Sequence, residues 1–332
     1  LRLFNARSAP IAVEAEALPV LFPQPPPRAA MHIRYGFTIE VACWQSVPLI
    51  AMLDLHPSRR RDVTDTDEMQ VTALATGEPV ADIRIYEDKF GNLCRRMVAP
   101  AGGIRIATRG IVHDSGFPDP VDPNATALPP QDLPDETLLY LLGSRYCETD
   151  RLSDVAWSMF GAVETGWAKV QAVCDFVHRH LRFDYNSARS TRTAAEAFEE
   201  RVGVCRDFAH LALTLCRCLN IPARYCTGYL GDIGVPYNPA PGDFSGWFEV
   251  YLGDRWWTFD ARHNTPRIGR ILIARGRDAT DVPIINSFGQ HELRRFDVFS
   301  DEITGHRFPA SSNARRQHWE LAASLRGGGE AA

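Results

Sequence analysis

The chain has 332 residues, 45% hydrophobic and 23% charged, with a net charge of −5. That is the profile of a soluble globular protein long enough for two domains of ordinary size. Its densest basic patch, Ser58 to Asp62 (SRRRD), is brief and followed at once by acidic residues, which argues against nucleic acid or anionic membrane as a partner, and no apolar run reaches the ~18 residues of a bilayer-spanning helix.

Residues 1–30 begin with leucine, are rich in proline and alanine, and stop just before Met31. Glu14 and Glu16 interrupt the only apolar stretch, so the order of a secretory signal is missing. Met31 is the expected functional start, with 1–30 a disordered or non-native extension. Residues 31–114 read as an N-terminal antiparallel β domain. IRYGFTIEVACW alternates loosely, VPLIAMLDL is a short apolar run, and ADIRIYEDKFGNLCRRMVAP reads as two strands around Gly91-Asn92, with GGIRIATRGIV as another. Residues 115–135 carry six prolines among Asp, Asn and Gly, and read as a linker.

Residues 136–304 read as an α+β domain, helices first and antiparallel strands after. ETLLYLLGS and DRLSDVAWSMFG form short helices, the second capped by Asp150 or Ser153. Trp167, Val170, Val173, Cys174, Val177 and Leu181 recur at helical spacing up to about Phe183. Thr193 with Glu196 three residues on forms a capping box for the next helix. A helix from Cys205 buries Phe208, Leu211, Ala212, Leu215 and Leu219, and ends before Pro222. ARYCTGYL, FSGWFEVYL, RWWTFDA, RILIA and RRFDVFS then read as strands, and 305–332 as a flexible tail.

The eight cysteines follow no regular framework, so a reducing cytoplasm is the expected compartment. Cys216 and Cys218, two apart on a helix, diverge and lack a second pair, so no metal site is expected. The absence of a phosphate-binding glycine loop implies no cofactor.

The stretch GVCRDFAHLALTLC, Gly203 to Cys216, places a thiol at a helix N-terminus. Unpaired N–H groups and the positive end of the helix dipole favour thiolate over thiol and could hold an oxyanion. A glycine at 203 permits a tight approach. Cys205 also shares a stripe with Phe208, so position alone leaves it either a nucleophile or a core thiol.

Two longer stretches, GVCRDFAHLALTLCRCLNIPARYCTGYL and DFSGWFEVYLGDRWWTFDARHN, resemble the transglutaminase-like superfamily of papain-like cysteine enzymes, in particular bacterial members with an N-terminal β domain. The resemblance implies Cys205 as nucleophile of a Cys–His–Asp triad with Asp260 as its aspartate. It also implies a His-Ala-Trp where this chain reads Ser245-Gly246-Trp247. The triad histidine is replaced by serine.

A two-residue turn at Gly253-Asp254 would set Leu252 opposite Arg255, Trp247 opposite Asp260 and Ser245 opposite Arg262. Ser245 and Asp260 then share a face, within reach of a side-chain hydrogen bond. His263 falls opposite Phe244, on the other face, unless a bulge or strand end after Asp260 lets it swing toward Ser245 as a substitute base. Other groups have structural readings. His210 is expected at the boundary of core and solvent, and His178 and His180 as cations at a helix C-terminus. Asp207 suits the helix dipole, Asp260 could pair with Arg262 or Arg267, and His291 has no placement. Tyr185 or Asn186 could supply a second oxyanion donor. Two functions follow: an acyl-transfer enzyme acting on a peptide or protein amide through Cys205, Asp260, Ser245 and His263, or a degenerate module that binds a peptide or protein in the old cleft.

Overall fold

The computed structural model describes residues 26–164 and 166–303. Strands β1 (Met31–Ala42), β2 (Val47–Ala51), β3 (Val63–Thr66), β4 (Gln70–Ala73), β5 (Arg84–Glu87), β6 (Leu93–Ala99) and β7 (Ile104–Asp114) build the N-terminal part. β3 and β4, too short and polar to read from periodicity, pair with β7. One sheet runs β15-β1-β7-β3 with β4 on β7; the other runs β14-β2-β6-β5. β14 (Ile285–Ser287) and β15 (Glu292–Glu302) come from the far end of the chain. The division at residue 136 is therefore corrected: the chain returns, and β14 pairs with β2 while β15 pairs with β1 from Ile33↔Glu302 to Ala42↔Glu292. Ile33, Phe37, Ile39, Leu49, Met97, Ile104 and Ile106 are buried, and on β1 Tyr35 and Phe37 pack on Tyr229 and Phe244 of the central part, the apolar burial that drives folding.

The central part is α+β. Helices α1 (Asp135–Leu138), α2 (Thr149–Phe160), α3 (Trp167–His180), α4 (Ala194–Glu200) and α5 (Cys205–Cys218) precede a sheet ordered β12-β11-β10-β13. Its strands are β10 (Ala223–Leu230), β11 (Ser245–Leu252), β12 (Arg255–Phe259) and β13 (Arg270–Gly276). A two-residue parallel pair, β8 (Arg182–Phe183) and β9 (Val202–Gly203), leads into α5. α2 starts at Thr149 after Glu148, so neither Asp150 nor Ser153 caps it, and α3 ends at His180 rather than near Phe183. The capping box of Thr193 and Glu196 is present on α4.

The proline-rich stretch is not a free spacer. Trp167 N–H donates to Ala125 O (2.9 Å) and Gly253 N–H to Thr126 O (2.7 Å), while Asp119 exchanges hydrogen bonds with Arg267. Fixed φ at its prolines makes an extended strap cheap to order against the core. Residues 26–30, expected to be disordered, are also placed: Arg28 N–H donates to Gly116 O (2.9 Å) and its guanidinium pairs with Glu302 (2.7 Å). The expectations for residues 1–25 and 305–332 lie outside the described residues.

α5 is the central helix, buried at every residue from Asp207 to Cys218. Its start is fixed by Asp207, whose Oδ2 accepts the Val204 N–H (2.9 Å) and the Arg192 guanidinium (3.1 Å). A Cβ on Gly203 would sit 2.6 Å from Asp207 Cβ, so glycine is required here for close approach, not for an unusual φ. Gly203→Ala should therefore destabilise the fold by about 1–3 kcal/mol, the usual cost of overpacking, measured by urea denaturation. An unchanged midpoint would contradict this packing account.

Candidate active site

The hairpin β11–β12 has the register expected from its turn. Leu252 faces Arg255 and Phe248 faces Phe259. The ladder stops there. Asp260 begins a turn in which its Oδ1 accepts the N–H groups of Arg262 (3.0 Å) and His263 (3.1 Å), and its carbonyl accepts Asn264 N–H (2.7 Å). This Asx-type turn ends strict alternation, and His263 comes round so that its Nδ1 lies 2.9 Å from Asp260 Oδ2.

The turn is gripped by one face of α3. Gln171, Asp175 and His178 stand at i, i+4 and i+7, so they project together. Gln171 Nε2 donates to Asn264 Oδ1 (2.9 Å), Asn264 Nδ2 to Asp175 Oδ1 (2.8 Å), and His178 Nδ1 to the Arg262 carbonyl (2.9 Å). Asn264 adopts φ 50°, a left-handed conformation that asparagine tolerates better than most residues. Sequence reasoning missed this grip, although the polar triplet Gln171, Asp175 and His178 at helical spacing was its signal.

Asp260 is buried, with two charge partners on one oxygen: His263, and Arg270 through Nη2 at 3.0 Å. Burial alone would raise its pKa; His263 and Arg270 outweigh it and hold the carboxyl well below the ordinary range. The ion-pair partner is thus Arg270, neither Arg262 nor Arg267. Nor does Ser245 bond the carboxylate, because the end of β12 at Phe259 turns Asp260 toward His263 and Arg270.

Cys205 opens α5 beside the start of β11. Its Sγ lies 4.0 Å from the Phe244 carbonyl and takes the Gly246 N–H, the two backbone groups that flank Ser245. Position 246 is confined, because a Cβ there would come within 2.6 Å of the Tyr225 hydroxyl. Cys205 is partly exposed, whereas the other seven cysteines are buried, Cys216 and Cys218 among them. The expectation of a depressed thiol pKa is corrected. Burial, first, and then the charge of Asp243 push the thiol up to about 11, against the pull of Arg262 and the Gly246 N–H.

Ser245, His263, Tyr185 and Arg262 line one cavity of about 700 Å³, whose walls continue over Arg34 and Thr38 of β1 and the β15 stretch 295–302. Cys205 lies just behind this wall, next to Phe244 and Ser245. The Arg262 guanidinium stacks on Phe183 at 3.8 Å and is the cation nearest in effect to both Cys205 and Tyr185. Burial and Asp243 push the Tyr185 phenol up to about 12, so it remains a donor at neutral pH. Asn186 is exposed and does not line the cavity.

The remaining histidines lie elsewhere. His210 is fully buried rather than at a boundary, accepting Ala279 N–H at Nε2 (3.1 Å) and stacking on Tyr146. His178 and His180 reach carbonyls of other segments instead of their own helix end, His180 Nε2 meeting Phe198 O at 2.7 Å. His291 pairs with Ser287 Oγ (2.7 Å) between β14 and β15. Asp207 serves the structure of α5, as its buried pair with Arg192 shows. Among the described residues no group of His, Cys, Asp and Glu could hold a metal ion.

Residues 154–261 match the family model of the transglutaminase-like superfamily. A crystal structure of a candidate cysteine protease from Cytophaga hutchinsonii superposes with a TM-score of 0.69 at 26% identity, covering 86% of this chain and 96% of that one. The periplasmic domain of TgpA from Pseudomonas aeruginosa aligns at 15% identity and a TM-score of 0.33, over 71% of this chain and 89% of that domain. An uncharacterised Mycobacterium leprae protein, ML0607, is 36% identical over 90 residues, which span 26% of this chain and about a third (32%) of that protein. The antiparallel sheet with α5 laid on it matches the papain-like core that this likeness implies.

The depressed Asp260 pKa has a consequence for stability. A carboxyl whose folded pKa lies below its unfolded value of about 3.9 contributes stability above that value and loses it as pH falls. Denaturant titrations from pH 7 to pH 3 should show Asp260→Asn losing less stability across the acid range than the wild type. Parallel acid limbs would show that Asp260 is not held this way.

Proposed function

Because residues 154–261 form a transglutaminase-like core, we propose that the protein is a cysteine acyl-transfer enzyme acting on an amide or peptide bond, with Cys205 as nucleophile and His263 as base. One observation carries this reading. His263, paired with Asp260 at 2.9 Å, lines the same cavity as Ser245, whose two flanking backbone groups touch the Cys205 sulfur. Serine stands where the family pattern has histidine, and the imidazole is supplied instead from three residues beyond the aspartate.

Ionised Asp260 accepts from Nδ1, which keeps that proton in place and leaves Nε2 with a lone pair. The thiol is neutral at rest, so its proton must leave as the carbon–sulfur bond forms. His263 Nε2 takes it; the amide oxygen becomes an oxyanion facing the N–H groups at the start of α5 and at Gly246. His263 then returns the proton to the departing nitrogen as the C–N bond breaks, leaving a thioester on Cys205. Attack by water, or by an amine, with its proton again passing through His263, releases the acyl group and restores the thiol. The rest of the substrate lies along the cavity walls given by β1 and β15.

The second reading, a binding module descended from such an enzyme, is favoured by the raised thiol pKa and by the position of Cys205 behind the cavity wall. Iodoacetamide separates the two, since Cys205 is the one partly exposed cysteine. If His263 serves as base, His263→Ala should slow Cys205 alkylation at pH 7 by ~10²-fold or more, the scale of general-base assistance. The two rates should converge as the pH approaches 11. Equal rates at pH 7, with no hydrolysis of a peptide-amide library, would favour the binding module. Ser245→His, which restores the family pattern, should accelerate alkylation at neutral pH; no acceleration would show that position 245 no longer faces the sulfur.

A further inference from the structure

The geometry points to Asp119, in the proline-rich strap, as a positioning residue for this site: it offsets the charge of Arg270, so that Asp260 retains a net negative charge with which to hold His263. The inference rests on the reading of His263 as base.

Arg270 lies between two carboxylates. Its Nε donates to Asp119 Oδ2 (2.8 Å) and its Nη2 to Asp260 Oδ2 (3.0 Å), the oxygen that also meets His263 Nδ1. The guanidinium packs 5.1 Å from the ring centre of Trp247 in the Ser-Gly-Trp stretch. Side-chain exposure is 8% for Arg270, 13% for Asp119 and 3% for Asp260, so solvent screens these charges little. A one-to-one pair of Arg270 with Asp260 would cancel the charge that stabilises an imidazolium at His263. With Asp119 added, the chain Asp119–Arg270–Asp260 carries one net negative charge at its His263 end.

Asp119 is fixed by more than the ion pair. Its Oδ2 accepts Arg267 N–H (2.9 Å) and its own N–H donates to Arg267 O (2.9 Å), which pins the strap to the loop between His263 and β13. Of the other charged groups close by, Asp175 on α3 accepts from the Gln171 and Asn264 amides and adds negative charge on that side of the turn. Arg267 lies 3.9 Å from Asp232, and Arg262 and Asp243 act with opposite sign on Cys205. Behind Asp260, burial keeps the α3 thiol Cys174 neutral. Burial, opposed by Arg270, raises the Asp119 pKa, whereas that of Asp260 is lowered.

Asp119→Asn tests this, since the amide oxygen can still accept from Arg270 and Arg267 while the charge is lost. The His263 imidazole pKa, followed by NMR of its ring protons, should fall by roughly 1 unit, the lower end of what a nearby charge does. The acid limb of Cys205 alkylation by iodoacetamide should move down with it. The double variant Asp119→Asn/Arg270→Gln removes one charge of each sign and should bring the imidazole back toward its wild-type pKa. A lowered melting temperature with an unmoved imidazole and an unmoved limb would reduce Asp119 to a structural role and overturn the inference. If the imidazole moves as stated while His263→Ala leaves alkylation unchanged, the hold of Asp119 on His263 stands and the base assignment falls. If His263→Ala slows alkylation but Asp119→Asn moves neither quantity, the inference alone fails.

Discussion

One buried carboxylate organises this site. Asp260 ends β12 and spends each of its oxygens on fixed donors: two backbone N–H groups of its own turn on Oδ1, an imidazole and a guanidinium on Oδ2. A buried carboxylate without such partners would be costly or would take a proton. The surrounding structure supplies them from β13, from the turn itself and, through Arg270, from the strap. The need to satisfy Asp260 thus dictates where His263 points and why the strap is ordered.

In the acyl-transfer reading proposed above, the imidazole reaches the site from the turn after β12 rather than from the start of β11. In the usual arrangement the base stands on the strand next to the thiol, and the aspartate orients it from the neighbouring strand. Here Ser245 stands on that strand, with Cys205 touching the backbone on either side of it, and the base candidate shares a turn with its aspartate. The Tyr225 hydroxyl crowds the adjacent position too, since a Cβ on Gly246 would come within 2.6 Å of it. The raised thiol pKa belongs with this. A helix N-terminus favours a thiolate, but desolvation by burial together with the charge of Asp243 raises the thiol pKa here.

Much of this was legible in the sequence, for identifiable reasons. The register of β11 and β12 followed from a two-residue turn at Gly253-Asp254, and the helix at Cys205 from its apolar stripe and the proline that follows, since both are local signals. The swing of His263 was legible only as a condition, because alternation cannot say where a strand stops; the Asx-type turn at Asp260 decided it. Long-range pairings were out of reach. Arg270 reads as the first residue of an apolar strand, and Asp119 as one acid among prolines; only the fold brings them together, 151 residues apart. The return of β14 and β15 to the N-terminal sheets was hidden likewise, since a strand's sequence does not name its partner. His210 was misplaced because helical angle says which face a residue takes, not that a second layer, here Tyr146 and Ala279, covers it.

The central claim is that Asp260 fixes the tautomer and direction of His263, and nitrogen NMR of the His263 ring at neutral pH tests it most directly. The account predicts a proton on Nδ1, shifted by a strong hydrogen bond, and an unprotonated Nε2 in the neutral form. A ring with its proton on Nε2, or one exchanging freely between the two tautomers, would contradict it.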